Sequence, residues 1–236
     1  MFVGRKNELN SIKKRLDSSG YELGIIYGQR RIGKTSIIKE AIESYNSLYF
    51  LARDANYRSN LDYFSQQYQQ YLKSPFRPSF DTFDDLFDSI IAQANNQKLV
   101  IVIDELPFLA KNYPGILSYL QGFCDDIKRK NMDIKILLSG SDMSFMMDLL
   151  ENKAKPLYQR STFKIHVKPM VFSDATKMLE GLPNEDIIKY LAVFGNRPYY
   201  LDKINKELSF DENIINLCFD NSSILLDAPN ITLPLG

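Results

Sequence analysis

The chain has 236 residues, 44% hydrophobic and 25% charged, the balance of a folded globular protein, which excludes a disordered or low-complexity chain. Lys plus Arg equals Asp plus Glu at 29 each, so there is no overall basic surplus to attract nucleic acid or anionic lipid. Two cysteines and one histidine exclude a Cys/His zinc site built within the chain and argue against a disulfide framework.

The first residues lack the apolar core of a signal peptide, and no run approaches the ~18 apolar residues of a membrane span, so a cytoplasmic protein with no membrane partner is expected. Leu9, Ile12 and Leu16 recur at helical spacing and predict an amphipathic helix over 7–19 that stops near Gly20. Leu23-Gly24-Ile25-Ile26-Tyr27 predicts a strand. Directly after it stands Gly28-Gln29-Arg30-Arg31-Ile32-Gly33-Lys34-Thr35, the complete G-x-x-x-x-G-K-[ST] pattern, and then the helix-like run Ser36 to Ile42. Phosphate binding needs this context. Backbone N–H groups of the glycine loop curl around phosphate oxygens, and the following helix points its positive end at them. Lys34 adds a mobile charge near the β- and γ-phosphates, and Thr35 is placed to ligate Mg²⁺.

Leu48 to Leu51 reads as a second strand. Leu61, Phe64, Tyr68, Tyr71 and Leu72 form a helical stripe ending before Ser74-Pro75, and Phe83, Leu86, Phe87, Ile90 and Ile91 form another that ends near Asn95-Asn96. The β-branched run Leu99 to Ile103 predicts a strand buried on both faces of a parallel sheet, with Asp104-Glu105 at its carboxyl end. A helix over 116–130 leads to a further buried strand over 134–138, closed by Ser139-Gly140-Ser141-Asp142. Phe163 to Val167 alternates as a strand, which makes His166 a structural residue, and Cys124 and Cys218 read as small buried hydrophobes. Short helices are expected over 173–179, 184–193 with Asn184 as N-cap, and 198–208; no regular structure is expected over 221–236.

Strands alternating with helices predict an α/β fold, a three-layer αβα P-loop NTPase with a parallel sheet, over residues 1–168. A small helical lid would occupy 169–220, and 221–236 would be an irregular tail leading to a further C-terminal region. Ligands in such sheets bind beyond the carboxyl ends of the strands, where the loop, Asp104-Glu105 and Ser139 to Ser141 converge. Asp104 suits a ligand of Mg²⁺ on the β- and γ-phosphates, and Glu105 a general base for an attacking water. Ser139 and Ser141 are either sensors of the γ-phosphate or part of a serine-glycine turn that caps the next helix. Arg160 and Arg197, outside the loop, are either transition-state arginines or surface ion pairs.

Taken together, Phe2-Val3-Gly4-Arg5-Lys6-Asn7-Glu8-Leu9, the phosphate loop, Asp104-Glu105 and Pro156-Leu157-Tyr158-Gln159-Arg160-Ser161-Thr162 resemble the archaeal-type ATPase family, P-loop NTPases near the AAA+ and STAND groups. Gly195-Asn196-Arg197-Pro198-Tyr199-Tyr200-Leu201 is similar to that family's lid motif. The resemblance implies ATP and Mg²⁺ as ligands. Phe2, Val3 and Arg5 would lie near the adenine, and Gly28 through Ser36 would hold the phosphates. Asp104 would hold the metal, Glu105 would polarise water, Arg160 would be an arginine finger or sensor, and Pro198 would let the lid approach the nucleotide. Gln159 and Asn196 stand where the family has glycine. Leu225 to Pro229 resembles the linker that precedes a winged-helix continuation, so a module without its partner-choosing region is expected. DNA binding would then need that region, and self-association or a protein partner remains open. These readings lead to slow ATP hydrolysis driving a conformational switch, with a nucleotide-gated binding module of little activity as the rival.

Overall fold

The apolar runs form β1 (Glu22–Tyr27), β2 (Ser47–Leu51), β3 (Leu99–Asp104), β4 (Ile134–Gly140) and β5 (Phe163–His166), one parallel sheet in the order β2-β3-β4-β1-β5. The computed structural model describes residues 2–94, 97–220 and 223. The expected tail over 221–236, with the linker-like Leu225 to Pro229, therefore lies almost wholly outside the described residues.

Every residue of β1, β3 and β4 is buried, because helices cover both faces. On one face Ile25, Phe50, Ile101, Ile103 and Ile136 pack with side chains of α3 (Tyr57–Leu72), α4 (Phe83–Ala94) and α6 (Ile116–Arg129). Side chains of opposite parity, Ile26, Val100, Val102 and Leu137, are equally buried, as are Ile12 and Leu16 of α1 (Lys6–Asp17) and Ile37 and Ile38 of α2 (Lys34–Ile42). The Lys98 ammonium donates to the carbonyls of Leu16, Asp17 and Ser18, satisfying the orphan acceptors where α1 ends. Register aligns the carboxyl ends: Tyr27 lies opposite Gly140 and His166, Ile103 opposite Leu138, and Leu51 opposite Asp104. The phosphate loop and the acidic pair thus leave the same edge of the sheet.

The remaining helices are α5 (Leu106–Asn112), α7 (Met143–Glu151), α8 (Phe172–Met178), α9 (Asn184–Phe194), α10 (Pro198–Leu201) and α11 (Phe210–Ile214), followed by a π turn, Ile215–Phe219. The single helix expected over 198–208 is instead one short turn; a new start follows at Ser209, whose capping box with Glu212 favours a fresh N-terminus. Pro183, not Asn184, occupies the cap position of α9, and Asn184 is its first helical residue. The chain divides into two compact units, one made of residues 6–30 and 34–167, the other of residues 1–5, 31–33 and 168 onward. The second has its own core of Met170, Ala175, Leu179, Tyr190, Phe194 and Leu201, against which Val3 packs.

Candidate phosphate-binding and carboxylate site

Gly28 opens the loop at a position only glycine fits, since a Cβ there would lie 2.3 Å from the Val167 carbonyl oxygen. The Lys34 ammonium is buried and donates to the carbonyls of Gly28 and Gln29 at 3.0 and 3.1 Å, 3.9 Å from the Glu105 carboxylate. Burial pushes the Lys34 pKa below its usual value; Glu105 and Asp104 oppose that shift and Arg30 adds to it. Arg31 at φ 66° and Gly33 at φ 94° turn the chain through the left-handed region into α2. Thr35, the second residue of that helix, is half-buried, while Gln29 and Ser36 are exposed.

The loop's tip is fixed by its own set of contacts. Arg5 donates to the carbonyls of Ile32 at 2.9 Å and Lys168 at 2.8 Å, and the Arg31 guanidinium donates to the Tyr200 hydroxyl at 3.2 Å and lies 4.9 Å from the Tyr199 ring centroid. Pro198 lies beside Gly33, within 3.3 Å of where a Cβ would stand. Phe2 is half-buried. Asn196 stands in place of a glycine with a side chain that is used: its side-chain amide donates to the Met170 carbonyl at 2.9 Å, while its backbone carbonyl accepts from the Met170 N–H at 2.8 Å.

At the end of β3 the Asp104 carboxylate is fully buried. It accepts from the hydroxyls of Thr35 at 2.7 Å, Tyr49 at 2.6 Å and Ser139, and from the Glu105 N–H at 3.1 Å. Glu105 then takes a left-handed conformation, φ 57° and ψ 44°, that breaks the strand and starts α5 with Pro107 at its first turn. Such a backbone costs about 1–3 kcal/mol in a residue with a Cβ, strain of the kind that collects at functional sites. Its carboxylate accepts from the Ser141 N–H at 3.1 Å and hydroxyl at 2.7 Å. Asp142 caps α7 by accepting from the Phe145 N–H at 3.0 Å. Ser139 and Ser141 therefore each bind one of the two carboxylates, and the helix cap is left to Asp142.

Every donor on Asp104 is neutral. A buried carboxylate held only by dipoles leaves a negative charge without a contacting cation, and the hydroxyl of Thr35 beside it adds a second hard oxygen. This donor set fits Mg²⁺, which takes one or two protein oxygens and otherwise keeps water and phosphate. Among the described residues there is no cluster of three or more His, Cys, Asp or Glu that would hold a metal without such help.

Arg160 is not brought to the loop. It makes a bidentate pair with Asp125 at 3.1 Å per contact and donates to the Pro156 carbonyl at 2.9 Å. It stands just before Thr162, whose N–H bonds the Leu23 carbonyl at the start of β1. The loop begins five residues later along that strand, about 17 Å away at ~3.3 Å per residue. Gln159 at φ 57° occupies the left-handed region in which the family's glycine sits without strain. Arg197 caps α10. Tyr49 escaped sequence reading: it sits inside an ordinary apolar strand, and only the pairing of β2 with β3 brings its hydroxyl to Asp104.

The sequence model of a family described as an ATPase domain predominantly from Archaea matches residues 2–204. An uncharacterized protein of Methanocaldococcus jannaschii is 30% identical over 204 residues, covering 86% of this chain and 44% of its own length. Among solved structures, the Walker-type ATPase of Pyrococcus abyssi superposes with a TM-score of 0.59 at 18% identity, over 85% of this chain and 65% of that one. The ORC2 protein of Aeropyrum pernix, in ADPNP–ADP complexes, superposes with a TM-score of 0.56 at 20% identity, over 76% and 52%. The chain thus spans less than half of its curated relative and between half and two-thirds of these structures.

Proposed function

The chain belongs to the family of ATPase domains found predominantly in Archaea, and we propose that it binds ATP with Mg²⁺ and hydrolyses it to ADP and phosphate. A P-loop fold with nucleotide-binding neighbours supports the binding half of this reading. The observation that carries the catalytic half is the placement of Glu105, whose carboxylate is fixed by Ser141 and stands 3.9 Å from the Lys34 ammonium, directly after the buried Asp104.

In the proposed reaction a water oxygen bonds to the γ-phosphorus as the bond to the β–γ bridging oxygen breaks. The water proton passes to Glu105 and the electron pair leaves on ADP. Base assistance of this kind is worth about 10²–10⁴ in rate. Loop N–H groups and Lys34 would hold the phosphates, and Thr35 and Asp104 would hold Mg²⁺, which would supply positive charge to the phosphates. The preference for ATP over GTP rests on the family, and the lack of an Asn-Lys-x-Asp guanine-reading tetrad in the sequence agrees with it. We assign Arg160, distant from its own loop, to the site of a neighbouring copy, so turnover is slow in dilute protein.

The loop tip supports a switch as the output of this chemistry. Arg31, Ile32 and Gly33 belong to the helical unit, with Tyr199, Tyr200, Arg5 and Pro198 around them. Phosphate release from Mg²⁺-ATP over a hundredfold range of protein concentration tests the proposal, with Glu105→Gln as the blank. Specific activity that vanishes in the variant and rises with concentration is expected. Tight ATP binding with no activity above the variant at any concentration refutes hydrolysis and leaves a nucleotide-gated binding module.

A further inference from the structure

The two arginines inside the loop diverge. Arg31, in the left-handed conformation, turns to Tyr199 and Tyr200, whereas Arg30 extends over the ring of Phe108, 5.5 Å from its centroid. Phe108 lies in α5, the helix that begins immediately after Glu105, so the same short helix presents the carboxylate and the platform for the guanidinium. Arg30 and Glu105 line one open cavity of about 690 Å³, together with Ser141 and Phe108.

How the two non-lid arginines are held decides between them. Arg160 pairs with Asp125 near the far end of β1, out of reach of its own loop. Arg30 is exposed, and among the described residues no carboxylate pairs with it; its one contact is the Phe108 ring. A cation over an aromatic face at an exposed site is held weakly, enough to orient a planar guanidinium without trapping it. As the third residue of a phosphate loop it is tethered beside the terminal phosphate, with its five donors in a fork that matches phosphoryl oxygens.

We propose that Arg30 is a catalytic arginine supplied by the phosphate loop itself, which contacts the γ-phosphoryl oxygens from the Glu105 side and neutralises charge that develops as the bond to the bridging oxygen breaks. Phe108 is its positioning residue. The proposal rests on the hydrolysis reading above. It makes basal turnover a property of a single chain, onto which a neighbour's Arg160 adds.

Single-turnover and steady-state phosphate release by Arg30→Ala, Arg30→Lys and Phe108→Leu, in dilute protein, test it. Arginines in this role are worth ~10³–10⁵ in kcat. Arg30→Ala is expected to lose at least ~10²-fold in kcat with its KM for ATP within threefold of wild type, and Arg30→Lys to recover only part of the rate. Phe108→Leu, which keeps an apolar side chain, is expected to fall between. A second readout is independent of turnover: trapping of ADP with aluminium fluoride, a planar mimic of the transferring phosphoryl group, is expected to fail in Arg30→Ala while ADP affinity is retained. Undiminished kcat, a raised KM alone, or normal trapping overturns the assignment. If wild type turns over, Glu105→Gln does not and Arg30→Ala matches wild type, only the role of Arg30 falls. If wild type releases no phosphate at any concentration, hydrolysis falls and Arg30's role with it.

Discussion

Replacing Asp104 by Asn keeps the shape of a fully buried side chain and removes its charge. Four donors hold the carboxylate: the hydroxyls of Thr35, Tyr49 and Ser139 and the Glu105 N–H. Hydrogen bonds to a charged group contribute about 1.5–3 kcal/mol each and neutral ones about 1, so neutralisation forfeits roughly 4 kcal/mol. Against this stands the desolvation of a carboxylate with no contacting cation, a penalty of several kcal/mol, and the hydroxyls can turn to accept from the new amide. The net expectation is a nucleotide-free variant more stable than wild type by about 1–3 kcal/mol, in line with neutral replacements of buried ions. At roughly 2–4 °C per kcal/mol for a chain of this size, its Tm in EDTA rises by about 2–12 °C. With Mg²⁺-ATP at about a hundred times Kd the wild type gains ~2.7 kcal/mol while the variant gains little, so the order of the two melts closes or reverses. Differential scanning calorimetry of both proteins in both buffers measures this. An Asp104→Asn protein that melts well below wild type in EDTA would mean that its charge is already compensated, and the case for a metal beside Thr35 would collapse.

The same carboxylate makes a second test. Tyr49→Phe removes a donor at 2.6 Å and is expected to cost about 1.5–3 kcal/mol, but only about 1 in an Asp104→Asn background; equal costs in the two backgrounds contradict the contact. Gly28→Ala drives a methyl to 2.3 Å from the Val167 carbonyl oxygen; a loss of at least about 1–3 kcal/mol and of ATP affinity is expected, and an unshifted melt would show that the loop is not held there. Burial pushes the Cys124 thiol from its ordinary 9.0 up to about 11. Its contribution to stability is fully present below about pH 9 and is lost as pH rises through about 11, a change of ~3 kcal/mol at 1.36 kcal/mol per pH unit. Urea melts of wild type and Cys124→Ala should therefore converge or cross over that window, and parallel curves would refute the shift.

The parallel sheet was legible because the strands at its centre, β1, β3 and β4, are nearly continuous apolar runs, and the loop because its chemistry lies in consecutive residues. What needed the structure was set by pairing. Tyr49 reaches Asp104 only through the register of β2 on β3, and nothing local distinguishes it from Phe50, which points into the core. The short helix α5 is hidden behind Glu105-Leu106-Pro107, since a left-handed glutamate before a proline reads as a turn. The expected helix over 198–208 was over-extended because apolar residues near helical spacing continue past Leu201, where turns intervene. Arg160 was singled out by its neighbours in sequence, and only the position of Thr162 against Leu23 places it at the opposite edge of the sheet from the loop.

The chain passes between its two units at Arg5, Arg30, Gly33 and Val167, and two of these crossings enclose just three residues, Arg31 to Gly33. Such a short excursion cannot unravel on its own, because its ends are covalently fixed by β1 on one side and α2 on the other. Melting the helical unit must therefore release Arg31 and Ile32 from Tyr200 and Arg5, and a ligand that orders the loop's main chain opposes that release. Melting of the helical unit is thereby joined to vacating the loop, and amides in α8 and α9 are expected to exchange more slowly when the loop is occupied, although those helices lie outside it. Hydrogen exchange with and without nucleotide would read that joining directly.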